Sequence, residues 1–209
     1  MSPLAEMGSP VSGTGGMMLL AVLLSAALTE NILLTRFLGM CPFLSVSREL
    51  KSAFGMGLAV VFVTTCTCAI NSLLYWTVLV PLGLHVSLQL ILFIVVIAAF
   101  VQLMEMVIER ISVTLYFSLG IFLPLITVNC AILGTSLFMV NRGFRGLSAV
   151  LFGFGSGLGW MIAIVLMAGI RQRLKGAKVP AALEGPGIAL VIAGIMALAF
   201  IGLSSMVKI

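Results

Sequence analysis

Charge is what this chain lacks most. Its 209 residues include 11 Lys and Arg and 6 Asp and Glu, 8% in all, where a soluble domain carries roughly 25%. With 62% hydrophobic residues and a mean hydropathy of +1.31, the chain could not be kept soluble. Histidine is almost missing too. His85 stands alone, in a predicted outer loop with no neighbouring ligand types, and reads as solvated. The first 16 residues, MSPLAEMGSPVSGTGG, lack the basic segment of a signal peptide, and no small-residue cleavage site follows a short apolar core. Residues 1–16 therefore read as a disordered Gly/Ser/Pro extension, followed by a retained first helix. The connecting loops are short, which leaves no soluble domain to hold a nucleotide. A nicotinamide or a quinone could meet this chain only through partners.

What the chain has is long apolar runs. Uncharged stretches cover 53–80, 86–104, 111–141, 147–170 and 185–207, and the first run, 17–46, is interrupted only by Glu30 and Arg36. Each meets or approaches the ~20 residues that cross ~30 Å of hydrocarbon. The expected fold is an all-α integral membrane protein of six transmembrane helices, one domain over 17–209. The loops after spans one, three and five hold Arg48, Lys51, Arg110, Arg171, Arg173, Lys175 and Lys178, with Arg36 placed toward the first of them. The other side has Arg142, Arg145 and Lys208. Eight against three puts both termini outside the cytoplasm. The net charge of +5 is thus a topology signal, and charges split among short loops argue against nucleic acid.

Three spans precede the midpoint, so the halves, about 17–110 and 111–209, should run as inverted-topology repeats, a plan common in transporters. Spans one and four are over-long: 19–47 is 29 residues and 111–141 is 31, against ~20 required. Each contains a cysteine among helix breakers. Gly39 and Pro42 flank Cys41; Pro124 and Gly134 bracket Cys130. Proline removes a backbone donor and clashes with the preceding turn, so a broken helix is expected in each. Irregular backbone at that depth is tolerated only when buried in protein or lining a cavity. A pseudo-two-fold axis would bring the two breaks and the two thiols together. Cys66 and Cys68 stand in an unbroken helical run and read as packing residues. A buried metal centre explains thiols set among helix breaks, as Cys41 and Cys130 are, better than packing does. Two thiolates leave an iron or zinc site short, since iron–sulfur clusters usually take four, so one chain would offer half a site and a second subunit the rest.

The segments FLGMCPFLSVSRELKSAFGMGLAV, VQLMEMVIERIS, LGIFLPLITVNCAILG, GFGSGLGW and AGIRQRL resemble one family over residues 28–209. Its members are the E subunit of the sodium-translocating NADH:quinone oxidoreductase (NqrE) and the A subunit of the Rnf ferredoxin:NAD oxidoreductase (RnfA). CPFL at 41–44, LVPL at 79–82 and the C-terminal tail lean to Rnf; ITVNCAI at 126–132 and FGSGLGWMIAIV at 154–165 lean to Nqr. The resemblance implies an ion-translocating (Na+ or H+) respiratory complex in which this subunit is not catalytic alone. It implies that Cys41 and Cys130 give two of four ligands to an intramembrane [2Fe–2S] cluster. A homologous sister subunit, of NqrD or RnfE type, would supply the other two. Further subunits would carry flavins and iron–sulfur centres on either side of the membrane. Backbone N–H groups near Gly39 and Asn129 are candidate donors to the cluster sulfurs.

Other polar residues carry less. Glu105, near the inner end of span three, is a candidate for an ion pathway, set against a satisfied interfacial acid five residues from Arg110. Glu30 and Asn31 read as a helix cap or a partner contact. Gly153, Gly155, Gly157 and Gly159 fail the context of a nucleotide loop and permit close helix packing, expected against the sister subunit. The run 171–178 reads as a topology anchor, with anionic lipid or an acidic carrier as the other reading. The function class set against the electron-transfer role is a stand-alone secondary transporter, for which inverted repeats would serve equally well.

Overall fold

A computed structural model describes residues 20, 22–83, 85–111, 123–174, 176 and 185–206; the extension 1–16 lies outside them. All elements among the described residues are helical. Span one is three short pieces: a π-type turn α1 (Ser25–Thr29), α2 (Ile32–Arg36) and α3 (Met40–Val46). Then come α4 (Leu50–Leu74), prolonged through a π turn at Tyr75–Leu79, and α5 (His85–Ile111). Span four is α6 (Leu123–Thr127) and α7 (Cys130–Asn141), followed by α8 (Leu147–Leu174) and α9 (Pro186–Met206). Leu50–Leu79, Leu88–Val107, Pro124–Asn141 and Leu147–Leu174 are long and apolar enough to cross a membrane, and Pro186–Gly202 is a shorter apolar helix. The first span is not among them because it is broken twice. His85, predicted in a loop, lies within α5, two residues beyond the left-handed Gly83 (φ +70°).

The centre of the fold is α4 packed along α8. A Cβ at Gly57 would meet Met161, at Gly157 it would meet Val61, and at Gly153 it would meet Cys68 and the Thr64 carbonyl. As numbers rise on α4 they fall on α8, so the two helices are antiparallel. Gly155 and Gly159 turn the other way and take the backbone of Leu23 and Ala27 against α8. The glycine stripe expected to face the sister subunit is therefore used inside the chain. The sequence shows small residues at i and i+4 but not which partner they admit.

The ends of the helices fix the inversion. Arg171, in the last turn of α8, donates from Nη1 to the Leu44 carbonyl (2.9 Å) and to Ser47 Oγ (2.7 Å) at the close of α3. At the opposite end, Trp76 donates to the Phe144 carbonyl beyond α7 (3.4 Å), and the Arg145 guanidinium lies 3.3 Å over the Trp76 ring. Span one thus ends where α8 ends, and span four ends where α4 ends. Arg36 departs from expectation. Its guanidinium stacks 4.9 Å over Phe138, close in sequence to Arg142, so it belongs with the Arg142 end and seven residues, not eight, carry the opposite excess. A cation–π contact with a ring in the fold outweighs the pull of the nearest loop.

Leu33, Phe43, Met56, Ile132, Trp160 and Met167 fill the core. On α5, Ile91, Val95 and Leu103 are exposed, as are Ile195 and Leu198 on α9. Apolar exposure on this scale suits lipid or another membrane subunit.

Candidate metal centre

Span one breaks first at Glu30 and Asn31. Asn31 caps α2, its Oδ1 accepting from Leu33 N (3.1 Å) and Leu34 N (3.4 Å), while its Nδ2 donates to the Gly159 carbonyl (2.7 Å). Asn129 does the same for α7, with Oδ1 accepting from Ala131 N at 3.0 Å. The signal is a repeated T-x-N, at 29–31 and 127–129, and asparagine is a preferred N-cap because its oxygen satisfies donors the helix leaves free. Glu30 pairs with Arg142. Glu30, Arg36 and Arg142 line one cavity of ≈ 200 Å³ with Thr35, Phe138 and Ser156.

The second break in span one is Phe37 to Gly39. Phe37 (φ +54°) is the one non-glycine with positive φ among the described residues, and Gly39 follows at φ +82°. Phe37 closes α2 in a left-handed cap and Gly39 opens α3, placing Cys41 as its second residue. Pro42, read as a breaker, sits in the first turn of α3, where its missing N–H is one the helix could not use. Pro124 lies within α6, and Gly134 lies inside α7, where a Cβ would meet Leu38 Cδ1 at 2.7 Å. The break in span four falls at Val128 and Asn129, so Cys130 is the first residue of α7.

The two breaks meet. The Gly39 N–H donates to Cys130 Sγ at 2.9 Å. Any Cβ at position 39 would lie 2.7 Å from Trp160 Nε1 and 3.0 Å from both Ala131 Cβ and Asn129 Oδ1. The Asn129 backbone N–H, a candidate donor by sequence, is turned to the Ile126 carbonyl (3.1 Å). Two side-chain donors here are buried without a partner: Asn129 Nδ2 and Trp160 Nε1. Both thiols, Cys41 and Cys130, are exposed on the surface of this chain. Cys68 is fully buried and Cys66 half-buried on α4, and Gly153 makes room for the Cys68 side chain.

Among the described residues, no three His, Cys, Asp or Glu side chains lie together as a metal site. The chain offers a pair of outward thiols with one amide already bonded to sulfur. Glu105 is half-buried on α5 and belongs to no ion pair among the described residues. Trp160 was not legible as part of the site, since a lone indole at the end of a glycine stripe carries no signal of what it faces.

A family model described as "Rnf-Nqr subunit, membrane protein" matches residues 19–207. The chain belongs to the Rnf-Nqr family of membrane subunits. It is 48% identical over 190 residues to the A subunit of the Na(+)-translocating ferredoxin:NAD(+) oxidoreductase complex of Acetobacterium woodii, covering 91% of this chain and 98% of that one. It is 47% identical to the E subunit of the Na(+)-translocating NADH-quinone reductase of Marinobacter nauticus (88% and 96% covered). The corresponding E subunit from Serratia proteamaculans is 49% identical (88% and 96%). The Rnf-type and Nqr-type relatives stand at the same distance, in keeping with the mixed leanings of the sequence motifs.

Proposed function

We propose that this Rnf-Nqr family member holds half of an intramembrane [2Fe–2S] centre within an ion-translocating oxidoreductase complex. Cys41 and Cys130 supply two thiolates, and the homologous sister subunit, of NqrD or RnfE type, supplies two more. The carrying observation is the contact of the two helix breaks, Gly39 N–H on Cys130 Sγ, with both thiols facing outward. The donor set fits such a group: soft sulfur ligands and a backbone amide already bonded to one of the sulfurs. Bound there, the cluster would relay single electrons between carriers on the cytoplasmic side and flavins on the other.

The chain's own residues explain how negative sulfur can stand at membrane depth. Charge in a low-dielectric setting is costly unless it is paired or hydrogen-bonded. The Gly39 amide, released from helical bonding by the left-handed turn, meets part of that cost at Cys130. The breaks also place each thiol in the first turn of a helix, where the free N–H groups favour negative charge. The charge count orients the Ser47 and Arg171 end to the cytoplasm, and Glu105 on α5 is the acid best placed by type for a translocated cation.

A stand-alone transporter has no use for paired outward thiols, and the relatives are named as subunits of complexes. Iron analysis and EPR of the dithionite-reduced complex test the proposal. Cys41→Ser and Cys130→Ser should each abolish the cluster signal and turnover while the complex still assembles. An iron-free but active preparation would overturn it. The co-purifying subunits, and whether NADH or ferredoxin reduces them, distinguish Nqr from Rnf.

A further inference from the structure

The cavity of ≈ 200 Å³ lies where the first break of span one meets two other helices. Glu30 and Arg36 line it from span one, Phe138 and Arg142 from the end of α7, and Phe152 and Ser156 from the first turns of α8. Its charges do not balance. Glu30 pairs with Arg142, which leaves the Arg36 guanidinium with no carboxylate among the described residues. Arg36 instead stacks 4.9 Å over the Phe138 ring, and Arg142 lies 5.5 Å over Phe152. The rings hold both guanidiniums at the cavity wall, and the excess of positive charge disfavours a metal cation there. Ser156 is a second, separate sign. Thr35, Thr64, Thr135 and Ser136 each donate their hydroxyl to the carbonyl four residues back. Ser156 is 3% exposed and its hydroxyl makes no hydrogen bond among the described residues, although it too stands inside a helix. A buried hydroxyl left unmet is costly, and this one lines the cavity.

We propose that this cavity binds a phosphate group, held by Arg36, Arg142 and the Ser156 hydroxyl. Guanidinium forks match phosphate oxygens with paired N–H donors. A carboxylate offers two oxygens, whereas a phosphate ester has enough for both forks and the hydroxyl. The charge count selects the ester. Two guanidiniums, the Glu30 carboxylate and one phosphodiester sum to zero, the most favourable balance where water is scarce. A phospholipid headgroup carries such a diester. The ends of α7 and α8 that frame the cavity place it toward headgroup level, where an exposed arginine of a membrane chain finds its counter-charge. The site is separate from the thiols and stands whether or not they hold iron.

The test is hydrogen exchange across residues 30–38 in the purified complex, stripped of lipid in detergent. Dihexanoyl phosphatidylglycerol should slow exchange of these amides several-fold relative to chloride at equal ionic strength. Inorganic phosphate, run in parallel, separates a headgroup from a free ion. Slowing by inorganic phosphate but not by the lipid would overturn the headgroup as the source and support the phosphate site. Arg36→Gln leaves the Glu30–Arg142 pair in place and should need about tenfold more ligand for the same protection, the loss of a charged hydrogen bond. No slowing by either compound, or an unchanged dose in Arg36→Gln, would overturn the proposal. Should that variant not assemble, Ser156→Ala decides, since it keeps both guanidiniums. It should need several-fold more ligand, and an unchanged dose would count against the proposal equally.

Discussion

Gly39 and Cys130 lie 91 residues apart in the chain and are joined by one hydrogen bond, amide to thiol sulfur, at 2.9 Å. That contact brings together the breaks of spans one and four. It exists because position 39 can hold φ +82° with no side chain in the way. Elsewhere the chain has left-handed glycines under no such constraint: Gly83 stands at φ +70° with nothing within 4 Å of an added Cβ.

The pair gives a controlled experiment. Gly39→Ala and Gly83→Ala both force a left-handed conformation on an L-residue, at about 1–2 kcal/mol. Only the first also drives a methyl into Trp160 and Asn129. Iron per complex should fall sharply in Gly39→Ala and stay at the wild-type level in Gly83→Ala. Equal iron content in the two variants would mean that the close approach at Gly39 does not shape the site.

Glu30 and Arg142 form an ion pair, both half-buried, in a cavity that also holds Arg36. Removing the carboxylate leaves two guanidiniums facing each other, whereas removing Arg142 leaves Glu30 beside Arg36. Glu30→Gln should therefore lower the thermal stability of the solubilised complex more than Arg142→Gln. The double variant should be milder than the sum, with a coupling of about 1 kcal/mol at this exposure. Additive effects would show that the pair contributes no coupling.

The architecture was legible wherever one kind of residue ran on. Apolar length announced the spans, and the order of the charged loops implied the inversion that Arg171 and Trp76 display at opposite ends of the fold. Cys41 and Cys130 stood out because they lay among helix breakers. The location of the breaks was less legible. Proline drew the eye, yet Pro42 sits in a first turn where proline is harmless, and the chain actually turns at Asn31, Gly39 and Asn129. A cap is decided by what a side-chain oxygen can reach, and a left-handed turn by what surrounds the missing Cβ. Neither is visible in spacing alone. For the same reason the glycine stripe on α8 announced close packing without naming its partners.

Asn31 should be among the least replaceable polar residues in the chain. Its amide caps α2 twice and ties the break to α8 through the Gly159 carbonyl at 2.7 Å, and it is fully buried. Asn31→Ala forfeits a cap worth about 1 kcal/mol and strands buried polar groups at roughly 1–3 kcal/mol. A loss of at least ~2 kcal/mol is expected, seen as a lower melting temperature of the purified complex. Asn31→Asp keeps the capping oxygen but loses the donor and buries a charge, so it should not rescue. A stable aspartate variant would argue that the bond to Gly159 contributes little.

Gly159 and Gly169 lie on the same helix and should respond oppositely to one added methyl. At Gly159 the new Cβ would come 2.6 Å from the Ala27 carbonyl oxygen, a backbone atom that cannot swing aside. At Gly169 nothing lies within 4 Å. Gly159→Ala must push α1 off α8, at about 1–3 kcal/mol for overpacking, and with it the Asn31 bond to the Gly159 carbonyl. Gly169→Ala should be neutral or stabilise by up to ~1 kcal/mol, since alanine loses less backbone entropy in a helix. Melting of the two variants, compared under one detergent, separates the effects. Should Gly159→Ala melt with Gly169→Ala, the close seating of the first span on α8 would not be what holds the broken segment in place.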